Sequence, residues 1–160
     1  MLEIKDDFLD PVNYNIISNT LLSAEFPWYF NNGIVDNGLE HNRDFQFTHR
    51  FYENVVISNY YNMLEPILSA LDFKALIRVK ANLTTMTPDH YYTGMHTDYP
   101  YDCKTAVYYI NTNDGWTEFE NGTKIESVAN RLVVFDTSTE HTGVTCCDES
   151  VRCLINFNYF

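Results

Sequence analysis

Beyond residue 74 the chain is written in short alternating runs, and these constrain its fold more than anything else in it. In "KALIRVKANLTTM", Leu76, Arg78, Lys80 and Asn82 alternate with Ile77, Val79, Ala81 and Leu83, the two-residue period of a strand. "CKTAVYYIN" is rich in β-branched and aromatic residues and stops at the turn "NTNDG". "GWTEFENGTKIESV" reads as two short strands around Asn121-Gly122, a strong hairpin signal. "NRLVVFDTS", "HTGVTCC" and "VRCLINFNYF" are three more candidates, the last two separated by the turn Asp148-Glu149-Ser150. Short strands this closely spaced, preceded by helices, fit a β-sandwich or jelly roll with a helical layer on one face.

The first half reads as partly helical. Asp10 is placed as N-cap and Pro11 as first helical residue of "DPVNYNIISNTLLS", with Val12, Ile16, Ile17 and Leu21 at helical spacing. Turn signals follow at Asn31–Gly33 and Asp36–Gly38. A second helix is expected over "NYYNMLEPILSALDF", where Pro66 requires a kink or a late start. No repeat, low-complexity tract or linker interrupts the 160 residues, so one domain is the simplest account.

Composition narrows the function classes. A formal charge of −12 repels phosphate backbones and anionic lipid, which argues against nucleic acid and membrane as partners. No apolar run is long enough for a membrane helix, and "MLEIKDDFLD" has no signal-peptide h-region, so a cytoplasmic protein is expected. The four cysteines form no C-x-x-C pair and read as free thiols rather than disulfides or a zinc site.

Chemistry concentrates in "GMHTDYPYD". His96 and Asp98 are two residues apart, so in extended chain both side chains project from one face and can reach a single cation. Alone, such a triplet is a weak signal. His141 opens a later expected strand, and Arg152 opens the next. Two histidines and one carboxylate are the facial triad of non-haem Fe(II) oxygenases, with open positions for substrates. An arginine on a neighbouring strand can hold a carboxylate by two parallel hydrogen bonds. The spacing works if His141 and Arg152 lie on adjacent antiparallel strands.

At this point the sequence resembles the 2-oxoglutarate and Fe(II)-dependent dioxygenases, in their prolyl 4-hydroxylase-like branch, and within it small members found in marine phages. The resemblance runs from about Leu76 to Phe160 and is carried by "HTD", "KTAVYYIN", "GWTEFENG", "VANRLVVFDTSTEHTG" and "VRCLINFNYF" in that order. It implies an α+β, mainly β fold, a double-stranded β-helix (jelly roll) with N-terminal helices packed on one face. Residues 1–75 would be a helical support region and 76–160 the jelly-roll catalytic core. It implies His96, Asp98 and His141 as iron ligands, Arg152 and Tyr109 on the distal carboxylate of 2-oxoglutarate, and Thr105 and Val107 lining the cosubstrate pocket. The family's Asn-Tyr before the H-x-D is Asn82-Leu83 here, so only Asn82 carries over to the pocket. Fe(II), 2-oxoglutarate, dioxygen and ascorbate are the implied cofactors, and hydroxylation of a peptidyl (prolyl) or small-molecule C–H bond, with release of succinate and CO2, the implied reaction. The missing tyrosine and Gly115-Trp116 in place of a Gly-Gly bear on the prolyl substrate more than on the cofactors.

Two other classes compete: a non-catalytic jelly-roll binding module, and a cupin-like metal enzyme that does not use 2-oxoglutarate. Acidic loops would steer a cationic peptide. His49 and His90 are assigned structural or surface roles, His41 an exposed loop, and the cluster Trp28-Tyr29-Phe30 the core. Arg131 is expected to support the site from outside, and Asn156 and Asn158 to face cavity or solvent.

Overall fold

The computed structural model describes residues 2–34, 45–99 and 101–160. Asp36–Gly38 and His41 lie outside these. The elements are β1 (Leu2–Lys5), α1 (Pro11–Leu21), β2 (Tyr29–Asn32), β3 (Phe45–Glu53), β4 (Val55–Val56), α2 (Glu65–Ala70), β5 (Leu76–Thr85), β6 (Lys104–Tyr109), β7 (Trp116–Phe119), β8 (Lys124–Glu126), β9 (Arg131–Asp136), β10 (His141–Val144) and β11 (Val151–Tyr159). They build two antiparallel sheets: a large one in the order β1-β9-β6-β11-β5-β3-β2, with β4 on β3, and a small one in the order β10-β7-β8. This is the expected mainly β jelly roll with helices on one face.

Strand parity sorts the side chains. On β11, Cys153, Ile155, Phe157 and Tyr159 join Val79 and Ala81 of β5, Ala106 and Tyr108 of β6, and Leu132 and Val134 of β9. That face is covered by Ile17 and Leu21 of α1 and by Leu64, Ile67 and Leu68 around α2. The opposite parity faces the small sheet, where Val107, Tyr109, Val133, Phe135 and Leu154 pack on Phe119 and Ile125.

Asp10 caps α1, accepting from the backbone N–H of Val12 (3.0 Å) and Asn13 (3.1 Å). Ile17, Ser18 and Leu21 are its buried residues, whereas Val12 and Ile16 are exposed. The buried stripe is therefore rotated from the expected one, because the Tyr14 hydroxyl reaches the Ile110 carbonyl (3.0 Å) and turns that face inward. The second helix is shorter than expected: Tyr61–Leu64 is a 3₁₀ turn and α2 begins at Glu65, with Pro66 in its first turn, where a missing N–H costs nothing.

The first 75 residues hold more than helices, since β1 and β3 extend the large sheet from both sides. Tyr29 and Phe30 are exposed on the edge strand β2 rather than in the core. Trp28 alone of that trio packs against the core, donating to the Leu21 carbonyl (3.1 Å). Arg131 forms a bidentate pair with Asp6 (2.5 and 3.0 Å) that clamps β9 to the chain after β1. All four cysteines are free thiols. Among the described residues no helix is long and apolar enough to cross a membrane.

Candidate active site

His96 and His141 face each other across a two-residue ladder. Each backbone N–H donates to the other's carbonyl (2.9 and 3.0 Å), an isolated bridge beside β10. Directly opposed residues of an antiparallel pair project from the same face, so the two imidazoles lie side by side with centroids 4.7 Å apart. Asp98, two residues after His96, completes the group. Its Oδ1 lies 3.8 Å from His96 Nε2 and 4.0 Å from His141 Nε2.

The surroundings fix which atoms meet. His96 Nδ1 donates to the Gly94 carbonyl (3.0 Å) and His141 Nδ1 to the Thr139 carbonyl (3.0 Å). A carbonyl only accepts, so in each ring Nδ1 carries the proton of the neutral form and Nε2 presents a lone pair. Burial pushes His141 below the usual imidazole value, against the pull of Asp98. Burial also opposes ionisation of Asp98, but His141, Arg78, His96 and the Thr105 hydroxyl outweigh it and hold its carboxyl below the usual range. Asp98 Oδ2 accepts from Thr105 (3.1 Å) and from the Asn158 amide (3.4 Å), while Oδ1 faces the two Nε2 atoms, with Arg78 Nη2 also 4.0 Å from it. Thr105, Asn158 and Arg78 form one row across β6, β11 and β5, and Asn158 accepts from Arg78 Nε (3.1 Å).

Three electron-pair donors thus converge on one point, and the residues present suit a divalent metal ion. His96, Asp98 and His141 line a cavity whose far end is Arg152. Arg152 is buried, donates from Nε to Ser127 (2.9 Å) and from Nη2 to Thr117 (3.1 Å), and sits 5.7 Å from the centre of the Tyr109 ring. Tyr109 in turn donates its hydroxyl to Thr117 (2.7 Å). Among the described residues no carboxylate pairs with Arg152, so its charge is balanced only by hydroxyl dipoles and a ring face. Among the described residues three buried side-chain polar atoms have no hydrogen-bond partner: Asn82 Oδ1, Thr84 Oγ1 and Asn156 Oδ1. All three residues line the same cavity. A ligand that donates hydrogen bonds would satisfy them.

The structure therefore brings His96, Asp98 and His141 together, with Arg152, Val107 and Asn82 on the same cavity wall. Tyr109 stands behind Thr117, and Thr105 braces Asp98. One expectation needs correcting. His141 and Arg152 are not on paired strands: β10 pairs with β7 in the small sheet, and β11 pairs with β5 and β6 in the large one. The chain between them crosses from sheet to sheet, so the two residues face each other across the cavity. Asn158, expected to face cavity or solvent, instead braces Asp98, and Thr117, Ser127 and Arg78 were not anticipated. Only Thr117 left a trace in the sequence, as an inward position alternating with Phe119 in "WTEF".

His49 is buried against Phe26, bonded to the Pro27 carbonyl (2.8 Å) and Ser58 (2.7 Å), and does not join the cluster. His90 lies at the surface with Nε2 3.5 Å from Asp114 and Nδ1 3.5 Å from Cys147 Sγ. Asp114 also accepts from the Cys147 N–H (2.7 Å), so this group closes the loops at one end of the small sheet.

No family model matches the sequence, and no curated protein matches it. Solved structures do. A prolyl hydroxylase from Trichoplax adhaerens, in complex with a hypoxia inducible factor peptide fragment, superposes with a TM-score of 0.73 at 17% identity over 99% of this chain and 83% of that one. A 2OG-Fe(II) oxygenase family protein from Burkholderia pseudomallei gives 0.68 at 13% identity over 99% and 84%. A viral collagen prolyl hydroxylase from Paramecium bursaria Chlorella virus-1 gives 0.59 at 13% identity over 98% and 87%. The chain has the fold of the 2-oxoglutarate and Fe(II)-dependent oxygenases. Prolyl hydroxylases, one of them viral, are among the structures that share this fold.

Proposed function

We propose that the protein is an Fe(II)- and 2-oxoglutarate-dependent oxygenase that hydroxylates a C–H bond of a peptidyl or small-molecule substrate. The observation that carries this reading is a buried guanidinium without a counter-ion among the described residues at one end of a cavity and a His-Asp-His donor set at the other. A cation so placed calls for an anion, and a diacid whose second end chelates a metal supplies one. A cupin-like enzyme working without 2-oxoglutarate, or a vestigial binding module, leaves Arg152 unexplained.

His96, Asp98 and His141 would hold the metal. When bound, Fe(II) with 2-oxoglutarate and dioxygen supplies the oxidation that converts substrate C–H to C–OH and yields succinate and CO2. The chain's own residues do the positioning. The Gly94 and Thr139 carbonyls lock both imidazoles with Nε2 free, and Thr105 and Asn158 hold Asp98 so that one oxygen faces them. Arg152 receives the distal carboxylate, backed by Thr117 and Tyr109. Val107 and Leu154 give that half of the cavity an apolar wall, which keeps water from competing for the arginine. Asn82 adds an amide toward the cosubstrate.

Anaerobic addition of Fe(II) and then 2-oxoglutarate tests the reading. A visible metal-to-ligand charge-transfer band should appear in the wild type, and succinate should form once oxygen is admitted. In Arg152→Ala the 2-oxoglutarate concentration needed for the band should rise at least about 10-fold, with Fe(II) binding retained. Absence of the band in the wild type, or an unchanged titration in the variant, rules the assignment out.

A further inference from the structure

The wall of the cavity formed by β5 and β11 carries a second cation that the cosubstrate does not need. Successive inward residues of the two strands are cross-strand neighbours: Thr84 beside Arg152, Asn82 beside Leu154, Lys80 beside Asn156, Arg78 beside Asn158. Lys80 lines the cavity together with His96 and Asp98 and is half-buried. Its ammonium has no hydrogen-bond or ion-pair partner among the described residues. The charged groups near it are Arg78 and Arg50, which repel it, and Asp98 and Glu53, which attract it. Both carboxylates are otherwise engaged. Glu53 is paired with Arg50 (2.8 Å), and Asp98 is turned toward the two imidazoles. Burial, with Arg78, pushes the ammonium down to about 8, so it still carries its charge at neutral pH.

Lys80 and Arg152 do not share one anion. The Lys80–Asn156 row is four strand positions from Arg152, roughly 13 Å along β11. The Arg152 guanidinium is also turned away, onto Ser127 and Thr117 of the small-sheet side. Charge balance points the same way. With a divalent metal and a dianionic cosubstrate bound, Asp98 and Arg152 bring the site to neutrality. Lys80 is the surplus among the lining residues, and the remaining ligand is the substrate.

We infer that Lys80 anchors a carboxylate of the substrate. The substrate class is then a small organic or amino acid, or a peptide that presents an acidic group next to the reacting carbon. This inference rests on the oxygenase reading and fixes the charge of what that site takes. It also reverses the expectation of a cationic peptide.

The test measures binding rather than turnover. Protein loaded with Mn(II) and 2-oxoglutarate is titrated calorimetrically with a panel of free amino acids, short aliphatic acids and acidic peptides, each beside its carboxyl-amidated form. At least one acid should bind the wild type roughly 10- to 100-fold tighter than its amide, the range of a charge-assisted hydrogen bond. Lys80→Met should erase that preference and Lys80→Arg should keep most of it, while 2-oxoglutarate affinity stays within about 2-fold in both. Free acids that bind better than peptides assign the carboxylate to a small molecule, and the converse assigns it to a peptide. Acid and amide binding alike throughout the panel, a panel with no binder, or an acid preference that survives in Lys80→Met overturns the inference. Loss of 2-oxoglutarate affinity in Lys80→Met also overturns it, because the carboxylate is then the cosubstrate's, and the oxygenase reading stands. If the wild type binds neither Mn(II) nor 2-oxoglutarate, it is the oxygenase reading that fails.

Discussion

Replacing Lys80 by methionine should make the metal-free protein more stable, although the position lines the cavity. The ammonium lies at 10.5 in an exposed lysine and at about 8 in the fold, chiefly through burial. That gap corresponds to about 3–4 kcal/mol at roughly 1.4 kcal/mol per pH unit, the amount by which the fold disfavours the charged side chain at neutral pH. Water entering the cavity screens part of it, so about 1–3 kcal/mol is expected. The sign follows from proton binding. Between about 8 and 10.5 the unfolded chain holds the Lys80 proton and the folded chain has released it, so wild-type stability gains with rising pH in that window. As pH falls through 8 the penalty is present in full. Methionine keeps the length of the stem and removes the charge. Urea denaturation of both proteins in chelator, at a series of pH values, reads the difference directly. Lys80→Met should be stabilised at pH 7, by roughly 2–4 °C in Tm for each kcal/mol, and the two curves should meet near pH 10.5. A variant less stable than wild type at pH 7, or a gap that does not close as pH rises, would refute the claim that Lys80 is a buried, unneutralised charge.

Other perturbations follow from the same contacts. Asp98→Ala leaves two neutral imidazoles and should abolish Fe(II) retention in equilibrium dialysis; full retention removes Asp98 from the ligand set. A Cβ at Gly115 would lie 2.7 Å from the Val144 carbonyl and 2.8 Å from Arg152 Cδ. Gly115→Ala should therefore displace Arg152, costing about 1–3 kcal/mol of stability in urea unfolding and weakening 2-oxoglutarate binding with it. Asn130 has φ of 62° and ties Leu9 N–H (2.9 Å), Leu9 C=O (2.8 Å) and the Tyr108 hydroxyl (2.7 Å) together. Asn130→Ala strands all three and should lower stability by about 2–4 kcal/mol, seen as a fall in Tm with 2-oxoglutarate affinity unchanged.

The large-sheet strands after residue 74 were legible because each has one face on the helices and one toward the small sheet, which imposes the two-residue period. The same signal was present and unread in β3, where Phe45, Phe47, His49 and Phe51 alternate with Gln46, Thr48, Arg50 and Tyr52. Turn residues on either side and a bulge at Arg50–Tyr52 break the run into pieces too short to stand out. His96, Asp98 and His141 could be picked out as a group because a metal-ligand set would restrict residue type strongly, and the structure brings the three together. The separation of His141 and Arg152 into different sheets could not. A turn such as Asp148–Ser150 is equally compatible with a hairpin and with a crossing, and only the pairing of β10 with β7 decides between them. The bracket around Asp98 was hidden for another reason. Arg78, Thr105 and Asn158 come from three strands, and nothing in their spacing along the chain indicates that they share a row.

Net charge is the sequence property that misleads here if applied at the wrong distance. The −12 of the whole chain acts on partners that lie along the surface, so it weighs against nucleic acid and anionic lipid. Its reach is about 10 Å at ordinary ionic strength. A small ligand inside the cavity responds instead to the groups that line it, where Lys80 and Arg152 outnumber Asp98 and the dielectric is low. An acidic exterior and a cationic interior are therefore compatible, and they select in the same direction. Long polyanions would be repelled at the surface, while a carboxylate small enough to enter would meet an ammonium with no other partner among the described residues.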